Sequence, residues 1–190
     1  ITALQGLRDL GQIQAGQKVL INGASGGVGT FAVQIAKHYG AEVTAVCSTR
    51  NVDLARALGA CHVIDYTRED FTRNGLQYDL ILAANGNLPV SAYRRALTPT
   101  GLCVMTGGSP SQTFPVMFLG PVLSKKDGQR FSMLTLKPNL KDLPLIKELL
   151  EAGKIASVID RRYSLAEAPD AFRYFGEGHA KGKVVINVAP

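Results

Sequence analysis

Asn22-Gly23-Ala24-Ser25-Gly26-Gly27-Val28-Gly29 lies between the apolar run Val19–Ile21 and the apolar-periodic stretch Phe31–Tyr39. A strand, a tight turn and a helix in that order build an anion site from backbone N–H groups at a helix N-terminus. The next strand, Val43–Val46, leads into Cys47-Ser48-Thr49-Arg50. A ribose 2′-hydroxyl is bound by a carboxylate about 20 residues past the glycines. This chain offers hydroxyls and a guanidinium there instead. A carboxylate would repel a 2′-phosphate, and Arg50 would attract one. The residues therefore point to a dinucleotide site that prefers NADP(H).

The chain has 190 residues, 46% hydrophobic and 19% charged. That is enough for one domain with a real core, or one domain plus a fragment of another. It has no Trp, so the core is expected to be mainly aliphatic. No apolar run approaches the roughly 20 residues that span a bilayer. The stretch Phe114–Leu123 is too short and contains Pro115 and Pro121. No signal or transit peptide is visible. The formal charge of +6 comes from scattered residues rather than a block, which argues against a nucleic-acid partner. Cys47, Cys61 and Cys103 form no Cys-x-x-Cys pair. They read as buried free thiols in a reducing compartment, the cytoplasm, with no metal site among them.

Periodicity extends the pattern. Thr2–Leu10 is apolar at helical spacing. Strands are expected at Gln17–Ile21, Glu42–Cys47, His62–Ile64, Tyr78–Ala83, Leu102–Thr106 and Phe131–Leu136. Helices are expected at Thr30–Tyr39, Asn51–Leu58 with Asn51 as N-cap, and Pro89–Leu97. The expected fold is α/β: a Rossmann, doubly wound, six-stranded parallel sheet with helices on both faces. Ligands of such sheets bind beyond the carboxyl ends of the strands. That gathers Ser25, Gly26, Gly27, Val28, Ser48, Thr49, Arg50, Tyr66, Asn85, Gly107 and Gly108 on one edge. Residues 1–140 read as the dinucleotide-binding domain. After Lys137 the pattern changes, with helices at Leu140–Ala152 and Leu165–Gly176 and strands at Ile155–Ile159 and Lys183–Val188.

Three stretches carry a family resemblance: Ala24–Gly29 with Gln34-Ile35-Ala36-Lys37, Ala57-Leu58-Gly59-Ala60 followed by Val63-Ile64-Asp65-Tyr66, and Gly178–Val185. Together they resemble the cofactor domain of the medium-chain dehydrogenase/reductase superfamily, in its quinone oxidoreductase-like, zinc-independent branch. The resemblance implies a barrel-like catalytic domain preceding Ile1, with residues 141–190 partly a remnant of it. It implies hydride transfer from NADPH to a quinone, an enone or a related carbonyl compound. It also implies a pyrophosphate turn at Ser25 to Val28, contacts to the ribose phosphate at Ser48, Arg50 and Tyr66, and a turn near the nicotinamide at Gly107 and Gly108. Asn85 stands where relatives often carry a different pattern. Relatives commonly form a homodimer across the strand corresponding to Phe131–Leu136.

Short-chain dehydrogenases use a similar glycine turn but need a Tyr-x-x-x-Lys pair, and no tyrosine here has a lysine four positions on. Two alternatives stay open. One is a non-catalytic NADP(H)-binding sensor or structural module. The other is a zinc-dependent alcohol dehydrogenase whose ligands lie outside this sequence. His38, His62 and His179 show no metal spacing, and no general acid is assigned.

Overall fold

A computed structural model of the chain describes residues 1–84, 88–108, 116, 124, 128–137 and 140–188. Asn85 and most of the stretch 114–123 lie outside the described residues. Six parallel strands form one sheet in the order β3-β2-β1-β4-β5-β6. They are β1 (Lys18–Asn22), β2 (Glu42–Cys47), β3 (His62–Asp65), β4 (Tyr78–Ala83), β5 (Leu97–Met105) and β6 (Arg130–Met133). The connection reverses direction between β1 and β4, which is where such sheets open a crevice for ligands.

Strand side chains point alternately to the two faces, and this sorts the core. Val19 and Ile21 of β1, Leu80 and Leu82 of β4, and Leu102 and Val104 of β5 belong to one buried cluster. Leu20, Ile81, Ala83, Cys103 and Met105 belong to the other. Helices cover both faces. On the first lie α1 (Thr2–Leu4), α2 (Gly29–His38), α3 (Val52–Ala57) and α5 (Asp142–Glu151). On the second lies α4 (Val90–Ala96), which buries Ala92, Tyr93 and Ala96. The Tyr93 ring is fully buried and its hydroxyl accepts a hydrogen bond from Asn22 Nδ2 at 2.8 Å.

A second, two-stranded parallel sheet pairs β7 (Ile159–Ser164) with β8 (Lys183–Asn187), joined by α6 (Ala168–Gly176). Ser164, at the start of this connection, donates its N–H and its hydroxyl to Glu167 Oε2 at 2.8 and 2.7 Å, within a capping box that fixes the turn out of β7.

Several boundaries differ from expectation. The Thr2–Leu10 helix is α-helical only to Leu4 and continues as a π-helix over Gln5–Leu10. β5 begins at Leu97, directly after α4, and runs through Thr98-Pro99-Thr100-Gly101, five residues ahead of the expected start at Leu102. Thr98 precedes proline and so avoids helical backbone. Gln129 Nε2 then donates to the carbonyls of Arg94, Leu97 and Thr98, tying the bend to the start of β6. The sixth strand ends at Met133 rather than Leu136. The seventh starts at Ile159 instead of ending there. Ile155 is buried in the first cluster, and Gln34 takes both the N–H and the carbonyl of Ala156 at 2.8 and 3.0 Å. A side chain therefore does there what a strand partner would do. Of the three cysteines Cys47 and Cys103 are buried, but Cys61 is exposed, against expectation, at the rim of the edge strand β3.

Two close contacts generate predictions. A Cβ on Gly29 would collide with the Gly23 carbonyl and come within 2.7 Å of Ala24 Cα, both rigid backbone. A Cβ on Gly107 would meet nothing within 4 Å. Gly29→Ala should therefore cost about 1–3 kcal/mol, seen as a lower melting temperature, while Gly107→Ala should leave that temperature unchanged. Separately, Asp142 is buried and accepts from Gln5 Nε2 at 2.7 Å and Arg8 Nη2 at 2.6 Å. These bonds, Arg8 first and then Gln5, hold its carboxyl below the usual carboxylate range. Its contribution is complete above the unfolded-state value of about 3.9 and fades as pH falls through the folded-state value. Melting curves from pH 7 to pH 2 should show Asp142→Asn well below the parent at neutral pH and converging on it in acid.

Candidate functional site

β1 ends at Asn22, and the chain reverses through Gly23, whose φ of 83° suits glycine. Gly26 N–H returns to the Gly23 carbonyl at 3.2 Å, and Thr30 N–H to the Gly26 carbonyl at 3.0 Å. Helix α2 starts at once. Val28 stands at its N-cap position and gives no side-chain cap. The other N–H groups at the start of such a helix have no intrahelical partner and can meet an anion, and the helix dipole adds positive potential there.

The second wall is the carboxyl end of β2. Cys47, Ser48, Arg50 and Asn51 line it, with Tyr66 from the end of β3. Asn51 is not the cap that its position suggests, because its side chain makes no bond to the start of α3. Its Nδ2 donates instead to Ser48 Oγ at 3.1 Å and across to Ser25 Oγ at 3.0 Å. Thr49 faces the other way: its hydroxyl donates to Asp65 Oδ2 at 2.5 Å and lies 3.0 Å from Thr67 Oγ1. Asp65 is a carboxylate near the end of β2, but it stands on β3 opposite Cys47, and its oxygens are taken by Thr49 and Thr67.

The third wall comes from far along the chain. Gly182 N–H donates to the Ser25 carbonyl at 2.9 Å, and Lys183 N–H to the Val158 carbonyl at 2.8 Å. Gly182 has φ of 75°, and a Cβ there would strike Val158. The loop is further held by Asp160, whose Oδ2 accepts from Tyr174 Oη at 2.5 Å and from Lys181 N–H at 2.9 Å. As a result Lys183 reaches over the glycine turn: a Cβ on Gly27 would lie 2.8 Å from its Nζ. Arg50 Nη2 donates to the His179 carbonyl at 3.2 Å, closing the far rim.

These walls enclose a cleft of about 540 Å³, a size usual for small-molecule sites. Among the described residues, its lining holds the cations Arg50 and Lys183 and no carboxylate. An uncapped helix start, a glycine turn with space before it, two hydroxyls and two cations fit a phosphate-rich ligand. Among the described residues no group of three or more His, Cys, Asp or Glu side chains converges on a point, so they supply no metal site by themselves.

Ser25, Gly26, Gly27, Val28, Ser48, Arg50 and Tyr66 thus share one cleft, as expected from their strand ends. Thr49 is adjacent but turned to Asp65. Gly107 and Gly108 follow β5 on the same sheet edge and do not line this cleft. Asn51, Gly182 and Lys183 were not anticipated as site residues. Only the Gly178–Val185 motif signalled the last two, and nothing local signalled Asn51.

A family model described as zinc-binding dehydrogenase matches residues 58–186. The chain belongs to this family. It is the cofactor-binding part of a medium-chain dehydrogenase/reductase of quinone oxidoreductase-like type. The chloroplast envelope quinone oxidoreductase homolog of Arabidopsis thaliana is 32% identical to it, over 98% of this chain and 58% of the relative. The mitochondrial NAD(P)H oxidoreductase RTN4IP1 of Mus musculus is 36% identical, over 91% of this chain and 48% of the relative. The structure of the quinone oxidoreductase from Coxiella burnetii superposes with a TM-score of 0.84 at 29% identity, over 99% of this chain and 57% of that one. The chain spans about half the length of the relatives it matches.

The thiols offer a check on this geometry. Burial, with Asp65 nearby, pushes the Cys47 thiol up to about 11, and burial pushes Cys103 up as well. At pH 8 a disulfide-exchange reagent should label one thiol quickly, Cys61, and the other two only on unfolding. Cys61→Ser should remove the fast phase.

Proposed function

We propose that this chain binds NADP(H) for an oxidoreductase that reduces a quinone, an enone or a related carbonyl compound. The observation that carries this reading is the cleft itself, with a glycine turn and helix start facing Arg50 and Lys183 and no carboxylate among the described residues of its lining. Ser25, Gly26, Gly27 and Val28 would take the pyrophosphate, with Lys183 neutralising it. Ser48 and Arg50 would take the 2′-phosphate, with Tyr66 beside the adenosine. Arginine suits this role because its guanidinium stays charged and pairs with phosphate through two N–H groups. Asn85, Gly107 and Gly108 belong to the nicotinamide end in this reading, and Thr49 supports the ribose end.

When bound, the nicotinamide supplies the hydride. The residues of this chain bind and orient the dinucleotide, and the loop Gly178–Gly182 screens it from water on one side. No general acid is assigned among them. The acceptor pocket is assigned to a preceding domain, in keeping with relatives about twice as long. The division into residues 1–140 and 141–190 is part of the same reading. So is zinc independence, supported by the form of the Ala24–Gly29 turn. A homodimer paired along β6 is supported by its place at the end of the sheet order. A cytoplasmic, reducing location is supported by three cysteines without disulfides. No helix among the described residues is long and apolar enough to cross a membrane. A nucleic-acid partner finds no support in the scattered charge.

The test is titration of the chain with NADPH and with NADH, followed by nicotinamide fluorescence. NADPH should bind clearly more tightly. Arg50→Ala should weaken NADPH by about 10-fold or more, the worth of a hydrogen bond to a charged group, and leave NADH nearly unchanged. Equal weakening of both, or none, would remove the 2′-phosphate role. Turnover of the longer protein with NADPH and a small quinone separates the enzyme from a non-catalytic sensor.

A further inference from the structure

We infer that Asn51 is a positioning residue that aims the hydroxyl protons of Ser25 and Ser48 at the bound anion. The inference rests on the dinucleotide reading of the cleft and assigns a role to a residue that reading leaves out.

Asn51 is 4% exposed, on the boundary between the glycine turn and the end of β2. Its Nδ2 carries two N–H groups, and both are used, one on Ser25 Oγ and one on Ser48 Oγ. A serine hydroxyl has one proton and two lone pairs. With a lone pair of each already filled by the amide, each hydroxyl is set to act as a donor. No protein acceptor among the described residues takes either proton. Two donors from opposite walls of one carboxylate-free cleft are what a phosphate group accepts.

The bland alternative is a residue that only holds α3 in place. The structure speaks against it twice. Asn51 makes no side-chain bond to the start of α3. Its Oδ1 is buried with no hydrogen-bond partner among the described residues, an arrangement that local folding does not favour. What the amide does accomplish is a bridge of 26 residues in sequence, from the strand end to the glycine turn. It links the pyrophosphate side, through Ser25, to the 2′-phosphate side, through Ser48.

The test is a set of NADPH and NADH titrations on the full chain, with apo melting temperatures. Asn51→Ala should weaken NADPH by about 5- to 10-fold, the loss of two oriented donors. NADH should weaken less, because only the Ser25 contact is used. In a Ser25→Ala, Ser48→Ala background, Asn51→Ala should change NADPH affinity by less than about 2-fold. Asn51→Asp keeps the volume but accepts where the amide donates, so it should turn both serine protons inward and weaken NADPH more than Asn51→Ala. Equal losses for both dinucleotides would overturn the inference. So would an undiminished loss in the serine-free background, or parental NADPH affinity in Asn51→Asp. If the unsubstituted chain binds neither dinucleotide, the reading of the cleft falls, and the role of Asn51 falls with it.

Discussion

Helix α2 begins so close to the end of β1 that the backbone of Gly29 rests against the carbonyl of Gly23, with no room for a Cβ. This contact sets the height of the helix above the sheet. A side chain at Gly29 would push the helix away and lengthen the turn. The helix start would then no longer point into the crevice between β1 and β4, where the sheet order reverses. The positive end of α2 and the strand ends face the same space only because that approach is allowed.

The glycine turn is nevertheless half a site. Its other half is delivered by a segment more than 150 residues away, through a single backbone bond from Gly182 to Ser25. That bond carries Lys183 over the turn and lets the His179 carbonyl meet Arg50. Arg50 and Lys183 thus line one space in which no described residue supplies a carboxylate. Asp160, Tyr174 and the β7–β8 pairing hold the loop in place.

Much of this was legible in the residues. The nearly continuous apolar runs at Val19–Ile21, Tyr78–Ala83 and Leu102–Thr106 foretold a sheet covered on both faces, because a strand with apolar residues at consecutive positions buries both sides. Ser25, Ser48, Arg50 and Tyr66 were placed together by the rule that parallel strands present their carboxyl ends on one edge. Other features were not legible. Propensity does not foresee that Gln34 would satisfy Ala156 and delay β7 to Ile159, or that Gln129 would secure a strand through Thr98-Pro99. Those are long-range side-chain to backbone bonds, and no local pattern encodes them.

Asn51 marks the boundary between the two kinds of information. By itself the sequence determined the layers, the turn, the sign of the charge at the end of β2 and the absence of a carboxylate in Cys47-Ser48-Thr49-Arg50, since each follows from local spacing or residue type. It also assigned Asn51 a local role, because an asparagine before an apolar helix usually caps it. Only the tertiary structure decided that the amide turns away from the helix to Ser25, that Thr49 turns to Asp65, and that Lys183 closes the cleft. The reason is physical: a polar side chain bonds whichever partner folding brings within about 3 Å, and those partners lie on other elements.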